Sequence, residues 1–114
     1  MRVCLKSSPA VFDVTDSAAA AAAIAAVAER HGRLDILVNN AATTRRKPLL
    51  DQTDEDWRGV LEIDLTACWR LSREAARVML PARFGRIIMV SSINAMIARP
   101  TITAYVATKV SQSA

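Results

Sequence analysis

Tyr105 and Lys109 stand four residues apart, with no glycine or proline between them. On a helix both side chains leave one face, one turn apart. A phenol with a pKa of about 10 is a poor base at neutral pH, and a neighbouring ammonium favours the phenolate and lowers that value. Ser92, brought in from the end of a preceding strand, can then hold a substrate oxygen while Tyr105 moves the proton. The spacing alone equally suits an amphipathic surface pair, since any i,i+4 pair forms easily.

The elements that must position these groups follow from the rest of the chain. Arg86 to Val90 reads as a buried strand with Ser91 and Ser92 at its carboxyl end, and a final helix is expected from about Thr103. Ile36 to Val38 reads as a second strand buried on both faces, as in a parallel sheet. It stops at Asn39 and Asn40, two amides at the end where open α/β sheets bind ligands, or else a plain Asx turn. Thr15, Asp16 and Ser17 open an alanine-rich helix that Gly32 stops. Thr53 to Asp56 resembles an N-cap with acidic first-turn residues. Beyond it, Trp57, Val60, Leu61, Leu65, Cys68, Leu71, Ala75 and Val78 recur at threes and fours, predicting one long helix that ends before Pro81. Phe84 and Gly85 make the following turn. Val11 to Val14 is a short apolar run read as a further strand, and Val3 to Leu5 a possible short strand. The alternation of strands and helices argues for an α/β fold with parallel connections.

Asp64 falls in the middle of that long apolar stripe. A buried unpaired charge is expensive, so a cationic or donor partner is expected, and Lys109 is the obvious candidate. A structural salt link and a part in proton movement are both open.

At 114 residues the chain has room for one small domain. Its 52% hydrophobic content is largely alanine, and aromatics are only 4%, so buried area per residue is modest. Fifteen basic residues against eleven acidic ones are spread along the chain, with Arg45, Arg46 and Lys47 the only basic cluster. The two tryptophans lie in a helical pattern away from that cluster, which argues against a nucleic-acid module. Cys4 and Cys68 are too few and too far apart for a disulfide framework or a zinc site, pointing to a reduced, cytoplasmic setting. No secretory signal or membrane span is legible, because the alanine-rich stretch is short and followed by Glu29 and Arg30.

The ordered set Asp13-Val14-Thr15-Asp16, Gly32 through Ala41, Val90-Ser91-Ser92 and Tyr105-x-x-x-Lys109 resembles the short-chain dehydrogenase/reductase family, from about residue 11 to the end. The resemblance implies a Rossmann-type doubly wound parallel sheet and an oxidoreductase using NAD or NADP. In that frame Tyr105 is the acid/base, Lys109 lowers its pKa and holds the nicotinamide ribose, and Ser92 orients the substrate carbonyl or alcohol. The thirteen-residue step to Tyr105 selects Ser92 over Ser91. Asp13, with Val14 beside it, matches the acid that contacts the adenine, and Asn39, Asn40 and Ala41 match the segment lining the cofactor channel. Asp64 stands where the family usually has an asparagine that helps hold a water in the proton relay. An ionised aspartate accepts but cannot donate, which puts that relay in doubt. Ala42 replaces a usual glycine. The Arg45–Pro48 and Ala98–Thr101 segments look like gluconate 5-dehydrogenases, and a cationic loop near the site suits a carboxylate substrate, such as a sugar acid. A solvated loop is the plainer account of the same residues.

The three glycines, Gly32, Gly59 and Gly85, form no glycine-rich phosphate loop, and the chain ends five residues after Lys109. Residues 1–114 therefore read as a partial NAD(P)-binding domain, the middle of the fold with both ends absent. Such a piece should bind dinucleotide poorly and turn over little by itself. In the family's strand order only the Ile36 and Arg86 strands can pair natively, leaving unpaired edges and exposed apolar faces. For the full-length form the resemblance implies a homo-oligomer acting on a small alcohol or ketone. The rival readings are a 3-oxoacyl carrier-protein reductase and a non-catalytic remnant that associates through the long helix.

Overall fold

Asp16 opens the first helix by accepting from the Ala18 and Ala19 N–H groups at 2.9 and 3.0 Å, and Gly32 closes it in the left-handed region at φ 74°. Between these caps a run of alanines supplies high helix propensity. The computed structural model describes residues 7–113. Its principal elements are α1 (Ser17–His31), β1 (Ile36–Asn39), α2 (Asp54–Leu61), α3 (Ala67–Ala82), β2 (Arg86–Met89) and α4 (Thr103–Ser111). β1 and β2 pair in parallel, Ile36 opposite Arg86 through Asn39 opposite Met89, the one strand pairing expected from the sequence. Such a pair needs a crossover, and the α2–α3 helix supplies it. α1 packs against α3, where Ala20, Ile24 and Leu71 form a core joined by Phe12, Val14, Leu34, Leu37 and Val78.

Thr53 caps α2 with a reciprocal box: its hydroxyl accepts from the Asp56 N–H at 3.1 Å, while the Asp56 carboxylate accepts from the Thr53 N–H at 3.1 Å. The long helix is not uniform. Between α2 and α3, Glu62–Thr66 winds as a π turn with Asp64 at its centre. Nor does it end before Pro81, which lies inside the last turn of α3. There proline forfeits only one terminal hydrogen bond, so the helix continues to Ala82. Arg83, at φ 53°, makes the left-handed stop, just ahead of the turn expected at Phe84 and Gly85.

Gly85 serves another purpose. A Cβ there would sit 2.8 Å from the Met79 Cβ and closer still to its Cγ and Sδ. Met79 is buried, so it has little room to move aside. Gly85→Ala is expected to cost about 1–3 kcal/mol through overpacking, read as a lower midpoint in urea with an unchanged slope.

Three expectations about strands are corrected. Residues 11–14 are not a strand; Phe12 and Val14 pack on the α1–α3 core, but among the described residues no neighbouring strand offers a hydrogen-bond ladder. β1 is not buried on both faces, since Ile36 and Val38 are 56% and 52% exposed. β2 is exposed along its length, with Ile88 at 48%. Burial of a strand depends on covering layers, and a two-stranded sheet with one helical layer lacks them. Trp57, expected in the apolar stripe, is also exposed. The proposed strand at Val3 to Leu5 lies outside the described residues. Among the described residues no helix is long and apolar enough to cross a membrane.

Candidate active site

β2 runs out at Met89, the Val90 N–H bonds to the Asn39 carbonyl at 3.0 Å, and the chain then delivers Ser91 and Ser92 at the carboxyl end of the sheet. Ser92 caps a short 3₁₀ turn, Ile93–Ala95: its hydroxyl oxygen accepts from the Asn94 N–H at 3.2 Å and lies 3.4 Å from the Asn94 Nδ2. Both contacts use the oxygen as acceptor, so the Ser92 proton is left free to be donated. Asn94 in turn lines a cleft of about 390 Å³ with Thr43, Thr44, Arg46, Ile102 and Tyr105. Ser92 thus meets the Tyr105 cleft through Asn94. Ser91 is engaged elsewhere, with its hydroxyl 2.9 Å from the Lys109 carbonyl and 2.6 Å from the Ser113 hydroxyl.

α4 carries Tyr105 in its first turn and Lys109 one turn on, as the spacing predicts. The Lys109 Nζ lies over the Tyr105 ring, 5.5 Å from its centroid. Lys109 is only 2% exposed, so this is not a surface pair. Its ammonium donates to the Val90 carbonyl at 2.8 Å and to Gln112 Oε1 at 2.9 Å, leaving one of three donors unassigned.

Asp64 is fully buried. The expected salt link to Lys109 does not form; no Asp64 ion pair occurs among the described residues. Instead Oδ1 accepts from the Thr43 N–H at 2.7 Å, and Oδ2 lies 3.4 Å from Thr108 Oγ1. The Thr108 hydroxyl has one proton, and the Tyr105 carbonyl takes it at 2.8 Å. Burial pushes the Asp64 carboxyl above the usual range; the Thr43 N–H, the more distant Lys109 charge and Thr108 oppose that only in part. Burial likewise raises the Cys68 thiol, which donates to the Asp64 carbonyl at 3.2 Å. The firm partner of the buried Asp64 carboxyl is thus the Thr43 N–H and not the Lys109 ammonium.

The basic cluster is split. Lys47 and Arg45 reach the buried Asp56 carboxylate at 2.6 and 3.3 Å. The Lys47 ammonium first, then the Thr53 N–H, with Arg45 the smallest contributor, hold that carboxyl well below its ordinary range. The Lys47 N–H also bonds to the Thr101 carbonyl at 3.1 Å, where Thr101 holds a left-handed φ of 70°. With the Thr43–Asp64 bond, these contacts fix the loop from both ends. Only Arg46 of the three lines the cleft beside Tyr105.

The expected cofactor residues divide likewise. Val14, Asn39, Asn40 and Ala41 line one apolar groove of about 430 Å³ between residues 10–14 and β1. Asn39 is buried; its Nδ2 donates to Ser72 Oγ at 3.0 Å and lies 3.2 Å from the Met89 sulfur, while its Oδ1 has no protein partner. Asn40 and Ala41 are exposed. Asp13 is exposed and accepts from the Thr15 N–H and hydroxyl, both at 2.8 Å, with the N–H bond the larger cause of its lowered carboxyl pKa. Sequence reasoning missed Asn94, Thr108, Thr43 and Gln112. Of these Thr108, three residues past Tyr105, and Gln112, the α4 C-cap three residues past Lys109, carried a periodic signal.

A family model described as short chain dehydrogenase matches residues 5–113. Gluconate 5-dehydrogenase of Gluconobacter oxydans is 40% identical over 105 residues, 92% of this chain and 41% of the relative. A 3-oxoacyl-[acyl-carrier-protein] reductase of Haemophilus influenzae is 36% identical over 104 residues, 91% of this chain and 43% of its own. Among solved structures, a gluconate 5-dehydrogenase from Burkholderia cenocepacia in complex with NADP and tartrate superposes with a TM-score of 0.82 at 40% identity. That match covers 89% of this chain and 40% of the other. The chain spans about two-fifths of the length of these relatives.

Proposed function

Because the chain belongs to the short chain dehydrogenase family, a family of Rossmann-type oxidoreductases, we propose that it is the acid–base segment of an NAD(P)-dependent enzyme acting on a secondary alcohol or ketone. The observation that carries this reading is the buried Lys109 ammonium lying over the ring of Tyr105, a residue that lines a cleft together with Thr43, Thr44 and Arg46. The cofactor, when bound, takes up or supplies the hydride. Tyr105 Oη removes the alcohol proton, or returns it in the reverse direction. Ser92 donates its free proton to the substrate oxygen and orients it. The third Lys109 donor is available to a ribose hydroxyl of the nicotinamide half. Asn39 Oδ1, buried and without a partner, is a further acceptor on the cofactor side. For the pyrophosphate no comparable fit exists among the described residues: Gly32 caps a helix, Gly59 lies within α2 and Gly85 packs on Met79, so none builds a phosphate cradle. We read the segment as one part of a longer dinucleotide-binding domain.

For the substrate, a sugar acid is favoured over an acyl thioester because Arg46 is the guanidinium left open to the cleft after Asp56 takes Arg45 and Lys47. The Burkholderia relative, solved with the dicarboxylate tartrate, agrees with that choice. The test is a chimera in which residues 11–113 replace the matching segment of the Gluconobacter enzyme. It should oxidise gluconate with a nicotinamide cofactor, and Arg46→Met should raise KM about tenfold or more with a smaller change in kcat. Activity on a 3-oxoacyl thioester with none on gluconate would replace the sugar-acid assignment. A folded, inactive chimera would reject the enzymatic reading.

A further inference from the structure

Gln112 joins two helices through a single side-chain amide. The π turn Glu62–Thr66 turns the Asp64 carbonyl oxygen towards side-chain donors, and Gln112 Nε2 donates to it. At the other end of the same amide, Gln112 Oε1 accepts from Lys109 Nζ at 2.9 Å. We propose that Gln112 is a positioning residue, a brace that ties the Lys109 ammonium to the Asp64 carbonyl and so keeps it over the Tyr105 ring.

The physical need for such a brace is plain. A lysine ammonium is a compact charge on a flexible four-carbon stem, and here it is buried with no carboxylate of the described residues in ion-pair range. The Val90 carbonyl is its only other hydrogen-bond acceptor among the described residues. One acceptor restrains the ammonium's distance but not its direction; two on different elements fix both. Asp64 and Cys68 are the titratable groups whose fields reach it from the facing helix, and Tyr105 lies on its own. The π turn contributes by widening the helix where the amide docks, and such turns recur at functional sites. An amide suits both ends, because it donates to a carbonyl and accepts from an ammonium at once. Methionine would keep the length and lose both bonds.

The chemical meaning of the brace rests on the role proposed for Lys109, but its existence is testable without turnover. In proton–nitrogen NMR of the labelled chain, a buried, doubly bonded lysine ammonium should exchange slowly enough with water to be seen, and its disappearance in Lys109→Arg assigns it. The wild-type signal should show a through-space contact to the Gln112 side-chain amide protons. In Gln112→Met, ammonium exchange should accelerate at least about tenfold, while backbone amide protection along α4 changes little. An equally slow ammonium in Gln112→Met overturns the proposal, as does a wild-type ammonium that is invisible or lacks the Gln112 contact. If Gln112→Met fails to fold, the wild-type contact decides. An inactive chimera with an intact brace would reject the enzymatic reading alone, and an active one with an unbraced Lys109 would reject the brace alone.

Discussion

Tyr105→Phe in the chimera should lower kcat by roughly 10²–10⁴-fold, the range for removing a positioned general acid–base. The change is selective. Phenylalanine keeps the ring that Lys109 overlies and the packing of the α4 first turn, deleting only the hydroxyl proposed as the acid–base. KM for gluconate should therefore stay within a few-fold, and the thermal midpoint within about a degree or two, as for substitutions that disturb no buried contact. Tyr105 is the only tyrosine in the chain, so its part of the chimera gains no second phenol to replace it. Were the pair only an amphipathic decoration of α4, turnover would not respond. A loss smaller than about tenfold would move the proton-transfer role to another group, with Ser92 first in line.

The legible parts of the fold are those where local chemistry decides. Asp16 and Gly32 bound α1 because a side-chain acceptor and a left-handed glycine act within one turn. The same holds for Thr53 and Asp56 at α2, and for Tyr105 over Lys109, a relation fixed by helical periodicity. What the letters conceal is what arrives from far along the chain. Ile36 and Val38 have the composition of a buried strand, yet exposure depends on whether another layer covers them. The π turn is equally hidden, since no residue type marks it and it forms around Asp64, whose carbonyl and carboxyl are met by groups from other elements. The need for an Asp64 partner followed from desolvation alone. Its identity, a backbone N–H twenty-one residues upstream, did not. The basic cluster makes the same point: three adjacent cations look alike in sequence, and only Asp56 separates the two that are tethered from Arg46.

Asp64→Asn should stabilise the chain, and by an amount that grows with pH. In the fold Oδ1 has a firm donor in the Thr43 N–H, but Oδ2 faces a hydroxyl whose single proton is already given to the Tyr105 carbonyl. A protonated Asp64 resolves this by donating from Oδ2 to Thr108 Oγ1, whereas an ionised one is buried with one good hydrogen bond and no adjacent cation among the described residues. Burial accordingly raises its carboxyl pKa above the unfolded value of 3.8. A group shifted in that direction contributes fully below its unfolded pKa and loses the contribution as pH rises through the folded one. Asparagine keeps the acceptor for Thr43, supplies an N–H to Thr108 and does not titrate. The difference in thermal midpoint, variant minus wild type, should be small near pH 3.5 and widen towards neutrality. There a gain on the order of 1 kcal/mol corresponds to roughly 4–8 °C for a small domain. Asp13 and Asp56, shifted the opposite way, weaken both proteins in acid alike and so cancel in the difference. Asp64→Leu is the control: it strands the buried Thr43 N–H and should cost about 1–3 kcal/mol at neutral pH. A midpoint difference that shrinks as pH rises, or an asparagine variant less stable than wild type at neutrality, would mean that Asp64 is held as an anion by Lys109 after all.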